Sequence, residues 1–106
     1  MEIINKTPHP VNIVNDENNL IHTFPKAEQL IRLKMVTVAV DSIGGIPTTI
    51  TRFGEPEGLP NQQEGVFYIV SQLVKNALPK RDDLLVPAEV VRDNQGNIVG
   101  CKSLGR

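Results

Sequence analysis

The chain has 106 residues, with 11 basic and 12 acidic side chains and a formal net charge of −1 at pH 7. The chain therefore has no excess of basic residues with which to bind the phosphates of a nucleic acid, and we expect no nucleic-acid polymer as a partner. Hydrophobic residues make up 40% of the chain, which is typical of globular proteins, and the length fits a single domain over residues 1–106.

Membrane insertion and secretion are also disfavoured by the sequence. No apolar run approaches the roughly 20 residues that cross a bilayer. Residues 1–5 lack the basic start and apolar stretch of a signal peptide, and the single cysteine, Cys101, cannot form an intrachain disulfide. We therefore expect no membrane partner and a cytoplasmic location.

The first half of the chain predicts short strands divided by turn residues. The predicted strands are Glu2–Asn5, Val11–Val14, Leu20–Phe24, the β-branched stretch Leu30–Val40 and the threonine-rich stretch Ile46–Phe53. Within Leu30–Val40 the alternation of apolar residues changes register, towards Val36, Val38 and Val40, and this predicts a bend or bulge near Lys34. Asp41–Gly45 predicts a turn, and Gly54–Glu64, with two prolines and two glycines, predicts a surface loop.

The most informative stretch begins at Val66–Val70, a continuous apolar run that predicts a strand buried on both faces. Ser71 then offers an N-cap for a helix that ends near Leu78, before Pro79. Leu84–Val86 predicts a second buried strand.

The remaining sequence predicts a hairpin and a frayed tail. Val90–Asp93 and Asn97–Cys101 flank Asn94–Gly96, where Gly96 suits the left-handed position of a three-residue loop. Lys102–Arg106 is expected to fray. The fold class predicted from all of these elements is α+β, a mainly β small single domain with one short helix between buried strands.

Three polar residues alternate after the first predicted strand. Asn5, Thr7 and His9 would lie on one face of an extended backbone, where an amide, a hydroxyl and an imidazole could bind a polar ligand. The alternative is a polar turn, in which Asn5 and Thr7 satisfy backbone groups that the neighbouring prolines leave without partners.

The second group of candidates surrounds the predicted helix. Ser71 lies at its start, where free N–H groups suit a phosphate or carboxylate, although a plain N-cap is the alternative. Arg81 can bind an anion in two-point geometry, and Asp82 and Asp83 can accept hydrogen bonds from ribose hydroxyls, act as a base or hold a divalent metal. The alternative for these three is a solvated loop with a weak surface ion pair.

We expect these candidates to converge in space. Backbone polar groups at the ends of buried strands need hydrogen-bond partners, and polar side chains therefore gather around a common cleft. On this basis one site is predicted to be lined by Thr7, His9, Ser71, Arg81 and Asp82.

Metal and cofactor chemistry find little support in the residue spacing. His9 and His22 stand in no zinc-binding pattern, and one cysteine cannot make a thiolate cluster. No metal ligand, catalytic residue or cofactor is predicted. Cys101 with a remote histidine would make a nucleophile pair, but a small core residue is the favoured interpretation.

Three blocks of the chain stand out together: Asn5–Ile13, Tyr68–Pro87 with its Tyr-Ile-Val-Ser and Arg-Asp-Asp-Leu-Leu-Val-Pro motifs, and Arg92–Cys101. In this order they resemble a family of small phage, prophage and bacterial proteins to which no activity is assigned. The resemblance implies a phage or mobile-element context in the cytoplasm of a bacterial host cell. It transfers no site residue, and residues 26–64 match no family pattern.

Three function hypotheses follow. The first is a protein that binds a small anionic or nucleotide-like ligand without turnover, by analogy a phage anti-defence sponge that sequesters a nucleotide-derived immune signal. The second is a hydrolase that cleaves such a ligand, with His9 and an aspartate as acid and base. The third is a phage accessory protein that binds a host protein. A homo-oligomer is expected in which a second copy completes a pocket.

Overall fold

The computed structural model describes residues 1–106, which form strands β1 to β8 and one helix. The elements in chain order are β1 (Glu2–Asn5), β2 (Val11–Val14), β3 (Leu20–Phe24), β4 (Met35–Ile43), β5 (Ile46–Phe53), β6 (Val66–Ile69), α1 (Gln72–Ala77), β7 (Leu84–Arg92) and β8 (Ile98–Gly105). The protein is therefore mainly β with one short helix, as predicted. That helix is neither long nor apolar enough to cross a membrane.

Six strands form one sheet in the order β1-β6-β7-β8-β2-β3. The strands β1, β6 and β7 run parallel to one another, and β7 pairs antiparallel with β8. Because β6 and β7 are parallel neighbours, α1 serves as the crossover between them. The remaining strands, β4 and β5, form a separate two-stranded hairpin.

The strand β6 is covered on both faces, which confirms the prediction for Val66–Val70. Its successive side chains alternate between the two sides of the sheet, and two hydrophobic clusters therefore meet at this strand. One cluster centres on Val11, Ile69, Leu85 and Cys101. The other centres on Tyr68, Val70, Val74 and Leu84, and packs against Ile31, Leu33, Leu59 and Leu78 from the helix and loops.

The helix α1 begins and ends where the sequence predicts. The Ser71 hydroxyl accepts a hydrogen bond from the Val74 N–H at 3.2 Å, so Ser71 is the N-cap. Leu78 is the C-cap, and Pro79 follows it. Val74 is the buried residue of the helix, and it fixes the helix on the sheet.

The predicted strand Leu30–Val40 and its bulge near Lys34 are wrong in position. Residues 30–34 form only an isolated bridge, between Arg32 and Glu57, because Ile31 and Leu33 turn towards the second cluster instead of a strand partner. The strand β4 begins later, its bulge lies between Val40 and Ile43, and it runs through most of the predicted turn Asp41–Gly45. Gly44 and Gly45 close the turn alone because both have positive φ.

The predicted frayed tail is also wrong. Residues 102–105 belong to β8 and pair with the first half of β7, so that Gly105 lies opposite Val86. Leu104 packs against the first cluster, and this apolar contact holds the tail on the sheet. The hairpin turn of Asn94–Gly96 is confirmed, with Gly96 at φ 82°.

We expect Ile69→Ala to lower the free energy of unfolding by about 2–5 kcal/mol, because Ile69 is fully buried in the first cluster and the substitution leaves a cavity. Urea unfolding followed by circular dichroism measures the effect. The matched control is Ile98→Ala, which removes the same atoms from an exposed site and should change stability by about 0.5 kcal/mol or less. Equal effects of the two substitutions would contradict the two-sided burial of β6.

Candidate functional site

The side chain of Asn5 connects the ends of the two edge strands of the sheet. Its Nδ2 lies 2.8, 3.3 and 3.1 Å from the carbonyl oxygens of His9, Phe24 and Pro25, to which it donates. Its Oδ1 accepts from the Thr7 N–H at 2.9 Å and lies 2.7 Å from the Thr7 hydroxyl. With Asn5 only 6% exposed, this network satisfies the backbone after β1 and joins it to the end of β3.

The structure therefore supports the polar-turn interpretation for Asn5 and Thr7. The Thr7 hydroxyl also lies 2.9 Å from the His9 carbonyl oxygen, and the Thr7 carbonyl accepts from the Ala27 N–H at 2.9 Å. It is the backbone of His9 that enters this network, and His9 itself is exposed.

Ser71 lies near this turn. A small cleft of about 120 Å³ is lined by Thr7 and Ser71, together with Lys6, Pro8, Leu30, Ile31 and Val74. The structure thus brings Thr7 and Ser71 together, as predicted. The Ser71 oxygen already caps α1, however, which is the plainer of the two roles proposed for it.

Arg81 and Asp83 form a two-point ion pair. Arg81 Nε donates to Asp83 Oδ1 at 2.8 Å, and Arg81 Nη2 donates to Asp83 Oδ2 at 2.6 Å. The same Nη2 donates to the Pro60 carbonyl at 3.1 Å, which ties the loop 54–64 to the start of β7. The two-point face that the sequence hypothesis reserves for a ligand is therefore occupied by Asp83.

This pair is closer to a buried ion pair than to the exposed pair considered above. The Asp83 side chain is 4% exposed and the Arg81 side chain 20%. The hydrogen bonds from Arg81 lower the pKa of Asp83, and the same bonds raise the pKa of Arg81. Both shifts favour the charged forms, so the pair is ionised at neutral pH.

The predicted convergence on one site is wrong. Ser71 follows the carboxyl end of β6, whereas Arg81 precedes the amino end of β7, and α1 spans the distance between them. Asp82 lies with Arg81, and its carboxylate accepts a hydrogen bond from Gln62 Nε2. In a parallel strand–helix–strand unit the carboxyl end of the first strand and the amino end of the second lie at opposite ends of the strands. Ligands of such units bind outside the carboxyl ends.

The sequence analysis missed a larger cleft beside β1. Its volume is about 470 Å³ and its walls are residues 3–6 and residues 24–29. Two lysines line it, Lys6 and Lys26, together with Phe24 and Glu28. The ion pairs of the structure are Arg81–Asp83 and Lys102–Asp16, so neither cleft lysine is paired with a carboxylate.

The sequence contains a weak signal for this cleft. Lys6 lies inside the polar turn at the end of β1, and Lys26 follows directly after the strand β3 and Pro25. What brings them together is the Asn5 network, because Asn5 bonds to the carbonyl oxygens just before Lys26. That long-range contact has no local sequence pattern.

Neither of the other residues considered for chemistry, His22 and Cys101, lines this cleft. The imidazole of His22 packs edge-on against Phe24, with ring centroids 4.4 Å apart. Cys101 is buried, its Sγ lies 3.6 Å from the Asn12 carbonyl oxygen, and burial raises the pKa of its thiol. No group of three or more histidine, cysteine, aspartate or glutamate side chains is arranged to hold a metal ion.

Comparison with known proteins finds no match: no family model matches the chain, and no curated protein or solved structure is significantly similar to it. The resemblance to the phage and bacterial family therefore stays a prediction.

We expect Asn5→Leu to lower the free energy of unfolding by at least about 2 kcal/mol, because each buried polar group left without a partner costs about 1–3 kcal/mol. The substitution keeps the side-chain size but removes every hydrogen bond to the turn and to the end of β3. Asn97→Leu, at an exposed position, is the matched control. Equal urea midpoints for the two variants would contradict the role of Asn5.

We expect Asp83→Asn to destabilise the protein by about 3 kcal/mol at pH 7, the lower end for breaking a buried ion pair, because Arg81 keeps some solvent contact. Since the folded pKa of Asp83 lies below its ordinary value of 3.8, its contribution is present above about pH 4 and is lost as the pH falls through the folded value. The deficit of the variant should therefore shrink under acid conditions.

Urea unfolding at pH 7, 5 and 3 measures this dependence. The matched control is Asp82→Asn, which removes the same charge from the exposed neighbouring residue. A deficit for Asp83→Asn that stays constant between pH 7 and pH 3 would show that the ion pair is not its source.

Proposed function

We propose that this protein binds a small anionic, nucleotide-like ligand without turnover, in the cleft between β1 and residues 24–29. The observation that carries the proposal is the pair of unpaired lysines, Lys6 and Lys26, on the walls of a cleft of about 470 Å³. This volume is in the range of small-molecule sites, about 300–1,000 Å³.

The lining suits a ligand with both an anionic and an apolar part. Two ammonium groups can donate to phosphate or carboxylate oxygens, and the lining also contains the apolar residues Ile3, Ile4, Phe24 and Ala27. Glu28 supplies an acceptor for hydroxyl or amine groups of the same ligand. The proposal keeps the ligand class predicted from the sequence but moves its anion contacts from Arg81 to the lysines.

The hydrolase alternative is less well supported because its acid and base lie apart. His9 lies in the turn after β1, while Asp82 and Asp83 lie at the amino end of β7. Asp83 is committed to Arg81, and Asp82 accepts from Gln62. General acid–base catalysis needs both groups within hydrogen-bond reach of one substrate.

The narrower form of the proposal places this protein in the cytoplasm of a bacterial host cell, where it would sequester a nucleotide-derived immune signal during phage infection. The support for that context is the sequence resemblance alone. The biochemical proposal about the cleft does not depend on it.

The test is isothermal titration calorimetry with cyclic dinucleotides, cyclic ADP-ribose isomers and mononucleotides. We expect one of these to bind, and to be recovered unchanged in mass after the protein is heated. Lys6→Ala and Lys26→Ala should each weaken binding by about 1.5–3 kcal/mol, the scale of a charge-assisted hydrogen bond. Binding should also weaken as salt is added, because Lys26 is exposed.

The matched control is Lys80→Ala, which removes the same charge from an exposed turn outside the cleft. Equal weakening by Lys80→Ala would reject the cleft as the site. An altered mass of the recovered ligand would favour the hydrolase, and no heat from any ligand of the panel would reject the proposal.

A further inference from the structure

The hairpin of β4 and β5 extends from the body of the protein as an arm. Its two strands pair with each other and with no other strand. The Gly54 N–H donates to the Lys34 carbonyl at 2.9 Å and closes the base of the arm. The radius of gyration is 16.9 Å, whereas a compact domain of this length has about 13 Å.

The strand register places aliphatic residues on one face of the arm from its base to its tip. Paired residues of an antiparallel hairpin lie on the same face, and the pairs Val36–Arg52, Val38–Ile50 and Val40–Thr48 share one. The bulge between Val40 and Ile43 brings Ile43 to that same face, opposite Ile46. We call the set Val36, Val38, Val40, Ile43, Ile46 and Ile50 the aliphatic face.

The aliphatic face is open to solvent. Ile43 and Ile46 at its tip are 72% and 67% exposed, and Val36 at its base is 58% exposed. The opposite face carries Thr37, Ala39, Thr49 and Thr51, with Met35 and Phe53 paired at the base of the arm. Alternation of this kind is typical of a sheet with one buried face, and an isolated two-stranded hairpin is only marginally stable in water.

We propose that the aliphatic face is a homodimer interface, in which the arms of two copies pack face to face. The first support is area. The chain exposes 7754 Å², whereas a compact monomer of its mass exposes about 5,900 Å². The excess, about 1,900 Å², is spread over both faces and the edges of the arm, and the roughly 800 Å² that each partner contributes to a standard interface is less than half of it.

The second support is the chemistry of the face. Its only charged residue is Arg52, at the base, and the rest is β-branched aliphatic or threonine. Interfaces of homodimers are more apolar than those of proteins that also exist apart. A face with almost no charge is complementary to another apolar surface and not to a charged one. A second copy of this chain always carries such a surface, namely the same aliphatic face.

A two-fold axis fits the shape of the arm. From Val36 to Ile43 the face is about 23 Å long at the usual rise of a strand. If the arms pack antiparallel, the tip of one covers the base of the other, and the centre of the face meets its own copy. Every aliphatic residue of the face then becomes buried, which is the condition of an isologous contact.

The test compares Ile50→Lys with Thr51→Lys in the full chain. Both add one lysine to adjacent positions of β5, but on opposite faces of the arm. Sedimentation velocity and light scattering over a concentration series should show a dimer for the wild type. Ile50→Lys should raise the dissociation constant about 100-fold or more, because it buries an unpaired charge. Thr51→Lys should leave it unchanged.

A second measurement does not depend on the stability of the lysine variants. Ile50→Cys lies near the centre of the face, so a short bismaleimide should link two copies through it, whereas Thr51→Cys should stay monomeric on a denaturing gel. The native Cys101 is buried and should not react in the folded protein. A wild type that is monomeric at 200 µM, binds lipid vesicles as a monomer, or cross-links equally at both positions would overturn the proposal.

Discussion

The burial of β6 on both faces is the constraint on which the rest of the body depends. A strand with apolar side chains on both sides needs other residues packed over each side, and this chain has only 12 buried residues, nine of them hydrophobic, with which to build the two layers. The helix α1 and the segments around Ile31, Leu33 and Leu59 cover one face, and strands of the same curled sheet cover the other. Since the neighbours of β6 are parallel to it, α1 has to run back across the sheet, and this separates Ser71 from Arg81.

The polar residues that look most functional in the sequence stabilise the two ends of these parallel strands. Asn5 satisfies backbone groups at the carboxyl end, and the pair of Arg81 and Asp83 secures the loop 54–64 at the amino end. Strand ends concentrate backbone groups that need partners, so polar side chains collect there for structural reasons. Lys6 and Lys26 take no part in either network, and this is why the cleft between them remains the better candidate for a ligand.

Short sequence patterns were sufficient to predict those elements that depend mainly on interactions between residues close in sequence. The capped helix after Ser71, the doubly buried strand before it and the glycine turn at Gly96 depend on neighbouring residues and are confirmed. The errors arise where a distant segment competes. Residues 30–34 have strand-forming composition but pack on the second cluster, and residues 102–105 find β7 as a partner. The prediction of one shared site was wrong because the direction of each strand decides at which end of the sheet a residue lies, and that direction depends on pairing between distant segments.

The cleft and the arm are linked through one segment of chain. Residues 24–34 form a wall of the cleft at one end and lead into β4 at the other. Between these ends the segment is held by the Ala27 hydrogen bond to Thr7, by the bridge of Arg32 with Glu57 and by the packing of Ile31 and Leu33. The cleft wall is therefore tied to the body on the side of the arm, and the Asn5 network ties it at the other end. Because these contacts lie between the cleft and the arm and the two surfaces share no residue, we expect loss of the proposed dimer to leave ligand affinity unchanged.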